Sequence, residues 1–223
     1  MEESSIESAG RKTRVAVLGA GRVGTAIARV ATEAGYDVSI AASGDPERIA
    51  LIAQVLTPGV QPRWTSEAVA EADIVVLAIP LHRFDAFDAA LVAGKLVVDV
   101  MNYWAATDGV QQLFEEPDLS SSEIVQQRLA QSDVVKSLNH IGYHELESER
   151  QPAGSPTRQA LGVAGDDPAA VAIVAELIER IGYDAVTFDT LRAGAILEPG
   201  GPVFGRMLTR EGFERAVRGD VAA

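Results

Sequence analysis

The segment Thr13-Arg-Val-Ala-Val-Leu-Gly19-Ala-Gly21-Arg-Val-Gly24 sets the architecture of this chain. Its first half is a short, apolar, β-branched run ending in glycine, the pattern of a strand buried on both faces. After Gly21 the period changes. Val23, Ile27 and Val30 recur at intervals of four and three, which predicts a helix over 22–34 that Gly35 stops. Gly19, Gly21 and Gly24 therefore form G-x-G-x-x-G between a strand and a helix. In that context each glycine has a physical task. Gly19 makes the tight turn, Gly21 lets the backbone approach a pyrophosphate, and Gly24 lets helix and strand pack closely. The free N–H groups and positive dipole end of the helix, from Ala20 through Arg22 and Val23, would hold the phosphates of a dinucleotide.

Working outward, the alternation continues. Strands are predicted over 36–41, 73–80, 95–100 and 133–138, with helices over 46–56, 84–92 and 122–130. The stretch 104–119 reads as a long polar connection and 147–158 as an exposed loop. A second α/β stretch follows, with a strand over 160–164, a helix over 168–181 and a strand over 184–188. Buried strands alternating with helices imply a Rossmann-type α/β fold: a doubly wound parallel sheet with helices on both faces. Residues 1–12, acidic and Ser-rich, are expected to be a disordered tail. Residues 13–205 form one domain with a C-terminal α/β extension, and 206–223 a terminal helix and tail.

Composition narrows the partners. Cysteine is absent, which excludes a disulfide framework, a thiolate metal site and a cysteine nucleophile. Acidic residues number 32 against 19 basic ones, for a net charge of −13. Such a surface repels phosphate backbones and anionic membranes, so neither nucleic acid nor membrane is expected as a partner. No apolar run approaches a membrane span, and the N-terminal stretch lacks the layout of a secretory signal. A cytoplasmic homodimer acting on a small-molecule redox partner is expected.

Cofactor choice should be read after the second strand, where NAD sites usually place an acid. Here the sequence runs Ile40-Ala-Ala-Ser43-Gly-Asp-Pro-Glu-Arg48, with no acid at the strand tip. Ser43 and Arg48 could bond a ribose 2′-phosphate, favouring NADP(H), whereas Asp45 is either a helix cap or a countervailing acid. The loops after the later strands supply the remaining candidates: Ile79, Pro80, Leu81 and His82; then Met101 and Asn102; then Asn139 and His140. In an open α/β sheet these loops share the edge where ligands sit. Asn102 is a candidate for bonding the nicotinamide, His140 for contacting the ligand or donating a proton, and Tyr103 and Trp104 for walling a flat ring. No metal site is expected, because His140 and His144 share one helical face only if Gly142 lies in a helix.

The ordered series Gly19–Gly24, Ala78-Ile-Pro80, Asp99-Val-Met-Asn102-Tyr-Trp104, Val135-Lys-Ser-Leu-Asn139-His140 and Ala164-Gly-Asp-Asp167 resembles the coenzyme F-420-dependent NADP oxidoreductase family. The resemblance covers about residues 13–205. It implies hydride transfer between NADP and a deazaflavin (coenzyme F-420) or flavin-like partner, with the nicotinamide over the loops at Ile79-Pro80, Met101-Asn102 and Asn139-His140. Archaeal members carry Ser-Arg where this chain has Ser43-Gly44, and His-Thr-Ile where it has Asn139-His140-Ile141. Rival readings are reduction of a small carbonyl or imine, and a non-catalytic NADP sensor.

Overall fold

The computed structural model describes residues 11–105, 109–116 and 118–220. Eight strands form one sheet in the order β3-β2-β1-β4-β5-β6-β7-β8. They are β1 (Arg14–Leu18), β2 (Asp37–Ala41), β3 (Gln61–Pro62), β4 (Ile74–Leu77), β5 (Leu96–Asp99), β6 (Asp133–Ser137), β7 (Ala160–Gly165) and β8 (Asp184–Phe188). The helices are α1 (Arg22–Glu33), α2 (Glu47–Leu56), α3 (Thr65–Glu71), α4 (Ser121–Arg128), α5 (Glu145–Ser148), α6 (Pro168–Arg180) and α7 (Arg210–Arg218). The first six strands have the order of a doubly wound dinucleotide fold, so the chain reverses direction across the sheet beside β1 and β4.

Period-two alternation splits the core into two layers. Val15 and Val17 of β1 pack with α1, α2 and α6 on one face. Ala16 and Leu18 pack with α3 and α4 on the other. Local signals hold the ends: Ser120 and Glu123 form a reciprocal capping box on α4, and the Asp167 side chain accepts from the Ala170 N–H to cap α6.

Three sequence expectations are corrected. The sheet is not parallel throughout, since β7 runs antiparallel to β6. After the connection 138–159 the chain turns back beside β6, and the later β7–α6–β8 unit is parallel only within itself. The helix expected over 84–92 is two 3-10 turns, Leu81–Ala86 and Ala89–Val92. Phe87 between them is extended, and the Asp88 carboxylate caps the second turn through the Ala90 N–H. Strand β3 and helix α3 were not anticipated, because two strand residues carry no readable period. Of the proposed tail over 1–12, residues 1–10 lie outside the described residues.

Candidate active site

The glycine turn has the geometry its spacing implies. Gly19 has φ 127°, a region that side chains with a Cβ avoid. A Cβ on Gly24 would collide with the Gly19 carbonyl oxygen, so this glycine lets α1 close onto the turn. A Cβ on Gly21 would meet nothing within 4 Å. Gly21 is thus free of any packing need and faces open space at the N-terminus of α1. No side chain caps that terminus, and its first turn holds no acid. Its donors and dipole remain available to an anion.

That open space is a cleft of about 800 Å³ along the C-terminal edge of β1, β2 and β4. Gly19, Ala20, Gly21, Arg22, Val23, Ser43, Ile79 and Pro80 all line it. Its walls are mostly apolar, a mixture suited to a ligand with flat rings and a charged middle. Arg83, on the turn after β4, lines it too, whereas sequence reasoning missed Thr65, Phe87 and Tyr143. Thr65 follows the unanticipated β3, and Phe87 belongs to the misread 3-10 region. Tyr143 arrives from the far side, in the loop after β6. Its hydroxyl lies 3.4 Å from Arg22 Nη1, and the Arg22 guanidinium stands 5.8 Å from its ring centre. The loop thereby reaches across to the N-terminus of α1.

Arg48 does not line the cleft but stands beside the turn that forms its rim. Its Nη1 is 4.0 Å from the place a Gly44 side chain would occupy, and among the described residues it has no ion pair. Asp45 proves to be a cap: its Oδ1 accepts from the Glu47 N–H at 2.9 Å.

At the ends of β5 and β6, outside the residues that line the cleft, Asn102, Asn139 and His140 form a bonded set. Asn102 Nδ2 donates to the Asn139 carbonyl at 2.7 Å. Asn139 Nδ2 donates to Asn102 Oδ1 at 2.9 Å and to the Leu197 carbonyl at 2.6 Å. Both Asn139 donors are therefore used, whereas Asn102, half-buried, keeps one N–H. Leu138, with φ 60°, is the one non-glycine at positive φ among the described residues. That strain sits directly before Asn139, where the surroundings must hold it.

His140 needs correction as a proton donor. It is 2% exposed. Its Nε2 accepts from the Gly162 N–H at 3.1 Å, so the ring proton lies on Nδ1, 3.3 Å from Asn139 Oδ1. Burial, with a smaller contribution from the Lys136 charge, pushes its pKa down to about 3. The ring stays neutral and both nitrogens are used inside the protein, so it orients Asn139. Leu81 and Met101 also point into the core, while His82 is exposed on its 3-10 turn. Among the described residues no group of three His, Asp or Glu could hold a metal ion, and no helix is long and apolar enough to cross a membrane.

The fold has known counterparts. The chain superimposes on a hypothetical protein from Sinorhizobium meliloti with a TM-score of 0.74 and 26% identity, covering 90% of this chain and 96% of that one. A candidate F420-dependent NADP reductase from Arthrobacter sp. FB24 matches at TM-score 0.66 and 24% identity, over 89% and 100% of the two chains. An imine reductase from Pseudomonas sp. shares the fold at TM-score 0.53 and 16% identity, over 82% of this chain and 58% of that one. No curated protein matches the chain. The family model described as NADP oxidoreductase, coenzyme F420-dependent, matches residues 14–103. That span runs from β1 through the glycine turn to Asn102 and Tyr103, and over it the chain is similar to that family.

Proposed function

We propose that the protein binds NADP(H) in the 800 Å³ cleft and exchanges a hydride with a flat redox partner, a deazaflavin or flavin. The observation that carries this reading is the open face of Gly21 above the uncapped N-terminus of α1, a cradle that any side chain would fill. The N–H groups of the first turn of α1 hold the pyrophosphate, with Arg22 supplying charge. Ser43 and Arg48 take the 2′-phosphate, while Asp45 is turned away into its cap. The spare N–H of Asn102 orients the nicotinamide carboxamide. When bound, the nicotinamide supplies two electrons and a proton as hydride, which the acceptor ring completes with a proton from solvent. Transfer between stacked rings asks the protein chiefly to set distance and exclude water.

The test is NADPH oxidation measured against deazaflavin, FMN, quinone and ferric acceptors. Turnover with a ring acceptor is expected, and binding of NADPH without oxidation by any acceptor would reject the enzyme reading. Arg48→Ala should weaken NADPH by about 1.5–3 kcal/mol, the range for a charged hydrogen bond, and leave NADH unchanged. Equal losses for the two would remove Arg48 from the 2′-phosphate site.

A further inference from the structure

We infer that the buried pair Asp99–Lys136 is a positioning device for Asn102, an inference that rests on the nicotinamide-facing role proposed for that amide. Asp99 ends β5 and Lys136 is its register partner on β6. Their side chains are 1% and 0% exposed, with Nζ and Oδ2 3.1 Å apart. A buried ion pair is poor evidence for stability, since apolar residues of like size do as well. Its geometry shows what it fixes instead. Asp99 Oδ1 accepts from the Met101 N–H at 2.9 Å, and Lys136 Nζ donates to the Met101 carbonyl at 2.6 Å. One charge pair thus holds both peptide groups of the residue before Asn102.

The grip extends around the site. Asp99 Oδ2 also accepts from Ser122 Oγ at 2.6 Å. Lys136 Nζ stands 3.5 Å from Ser121 Oγ, which donates to Glu198 Oε1 at 2.7 Å. Glu198 follows Leu197, whose carbonyl accepts from Asn139. The network therefore reaches the Asn102–Asn139 pair from both sides. Gly194 lies over the lysine stem, where an added Cβ would stand 3.1–3.2 Å from Lys136 Cβ and Cγ, tighter than ordinary van der Waals contact. Charge-assisted bonds are short and directional, which suits a task where about 1 Å matters.

Lys136→Met alone leaves a buried unpaired carboxylate and risks misfolding. Asp99→Asn with Lys136→Met carries no charge and keeps an acceptor for the Met101 N–H, but frees the Met101 carbonyl. In this double variant NADPH affinity, read by titration calorimetry, should stay within about twofold, because the pyrophosphate grip is untouched. Single-turnover hydride transfer to the acceptor that serves the wild type should fall roughly ten- to a hundredfold. The emission of bound NADPH should change as well, an arm that needs no acceptor. Added to Asn102→Ala, the pair should cause little further loss, since both act through one group. Wild-type transfer and emission in the folded double variant would overturn the inference. So would parallel losses of affinity and rate, or full multiplication of losses with Asn102→Ala. If the wild type binds NADPH and reduces no acceptor, the proposed reaction fails, while the emission arm still decides the role of the pair.

Discussion

Three glycines in one turn have separable duties, and side-chain space tells them apart. Gly21 meets nothing within 4 Å, so Gly21→Val should leave the melting temperature nearly unchanged while dinucleotide affinity falls by more than about tenfold, or 1.4 kcal/mol. Gly24 is backed by the Gly19 carbonyl. Gly24→Ala should instead cost about 1–3 kcal/mol of stability through overpacking, visible in urea unfolding. The opposite pattern would mean that the cleft is not the phosphate site. His140 yields a second residue-level expectation. Its ring resists protonation down to about pH 3 in the folded protein, whereas the unfolded histidine binds a proton near 6.5. Between those values the unfolded state holds more protons, so stability from this group is complete above pH 6.5 and declines as pH falls. The slope is about 1.4 kcal/mol per pH unit. In His140→Gln the acid side of the stability–pH curve should be shallower by one proton. Identical slopes would contradict a neutral, buried ring.

At the scale of elements, what could be read in the sequence depended on length and period. Strand β1, the glycine turn and α1 were legible because a buried run and a helical stripe meet at three glycines with distinct steric tasks. Strand β3 and the 3-10 turns around Phe87 were not, since two to six residues set no period and Asp88 caps where a continuous helix was expected. The antiparallel join of β6 and β7 was hidden for another reason: strand patterns carry no direction. The site suffered accordingly. Residues on the first βα turn could be picked out by their glycine spacing, but Tyr143 depends on which loops meet in space and the Asp99–Lys136 pair on strand register. The same holds for α7, which looked peripheral. Its Phe213 is 1% exposed and packs 6.0 Å from the His140 ring and 6.4 Å from Phe188. Phe213→Ala should cost about 3–5 kcal/mol in chemical denaturation. It should also slow hydride transfer, since His140 orients Asn139. A loss under 1 kcal/mol would make α7 an appendage.

Across the whole molecule, charge and cleft pull in different directions. The chain carries −13, yet the ligand proposed for its cleft is itself an anion. Near the rim, Arg22, Arg48 and Arg83 are offset by Asp45, Glu47 and Asp88, so the local balance is close to neutral. The distant negative surface then dominates the approach. At low salt the Debye length is about 30 Å at 0.01 M, long enough for the entire surface to act. Near 0.15 M it is about 8 Å and only the rim is felt. The association rate of NADPH should therefore rise with ionic strength, as repulsion is screened. The dissociation rate should rise too, because salt also weakens the short-range hold of arginines on phosphate. Affinity is then a poor reporter, since the two changes partly cancel, and stopped-flow rates separate them. NADP(H) should show the effect more strongly than NAD(H), having the additional phosphate charge. Association that slows as salt is added would mean that the three arginines focus a positive field through the cleft mouth strongly enough to outweigh the net charge.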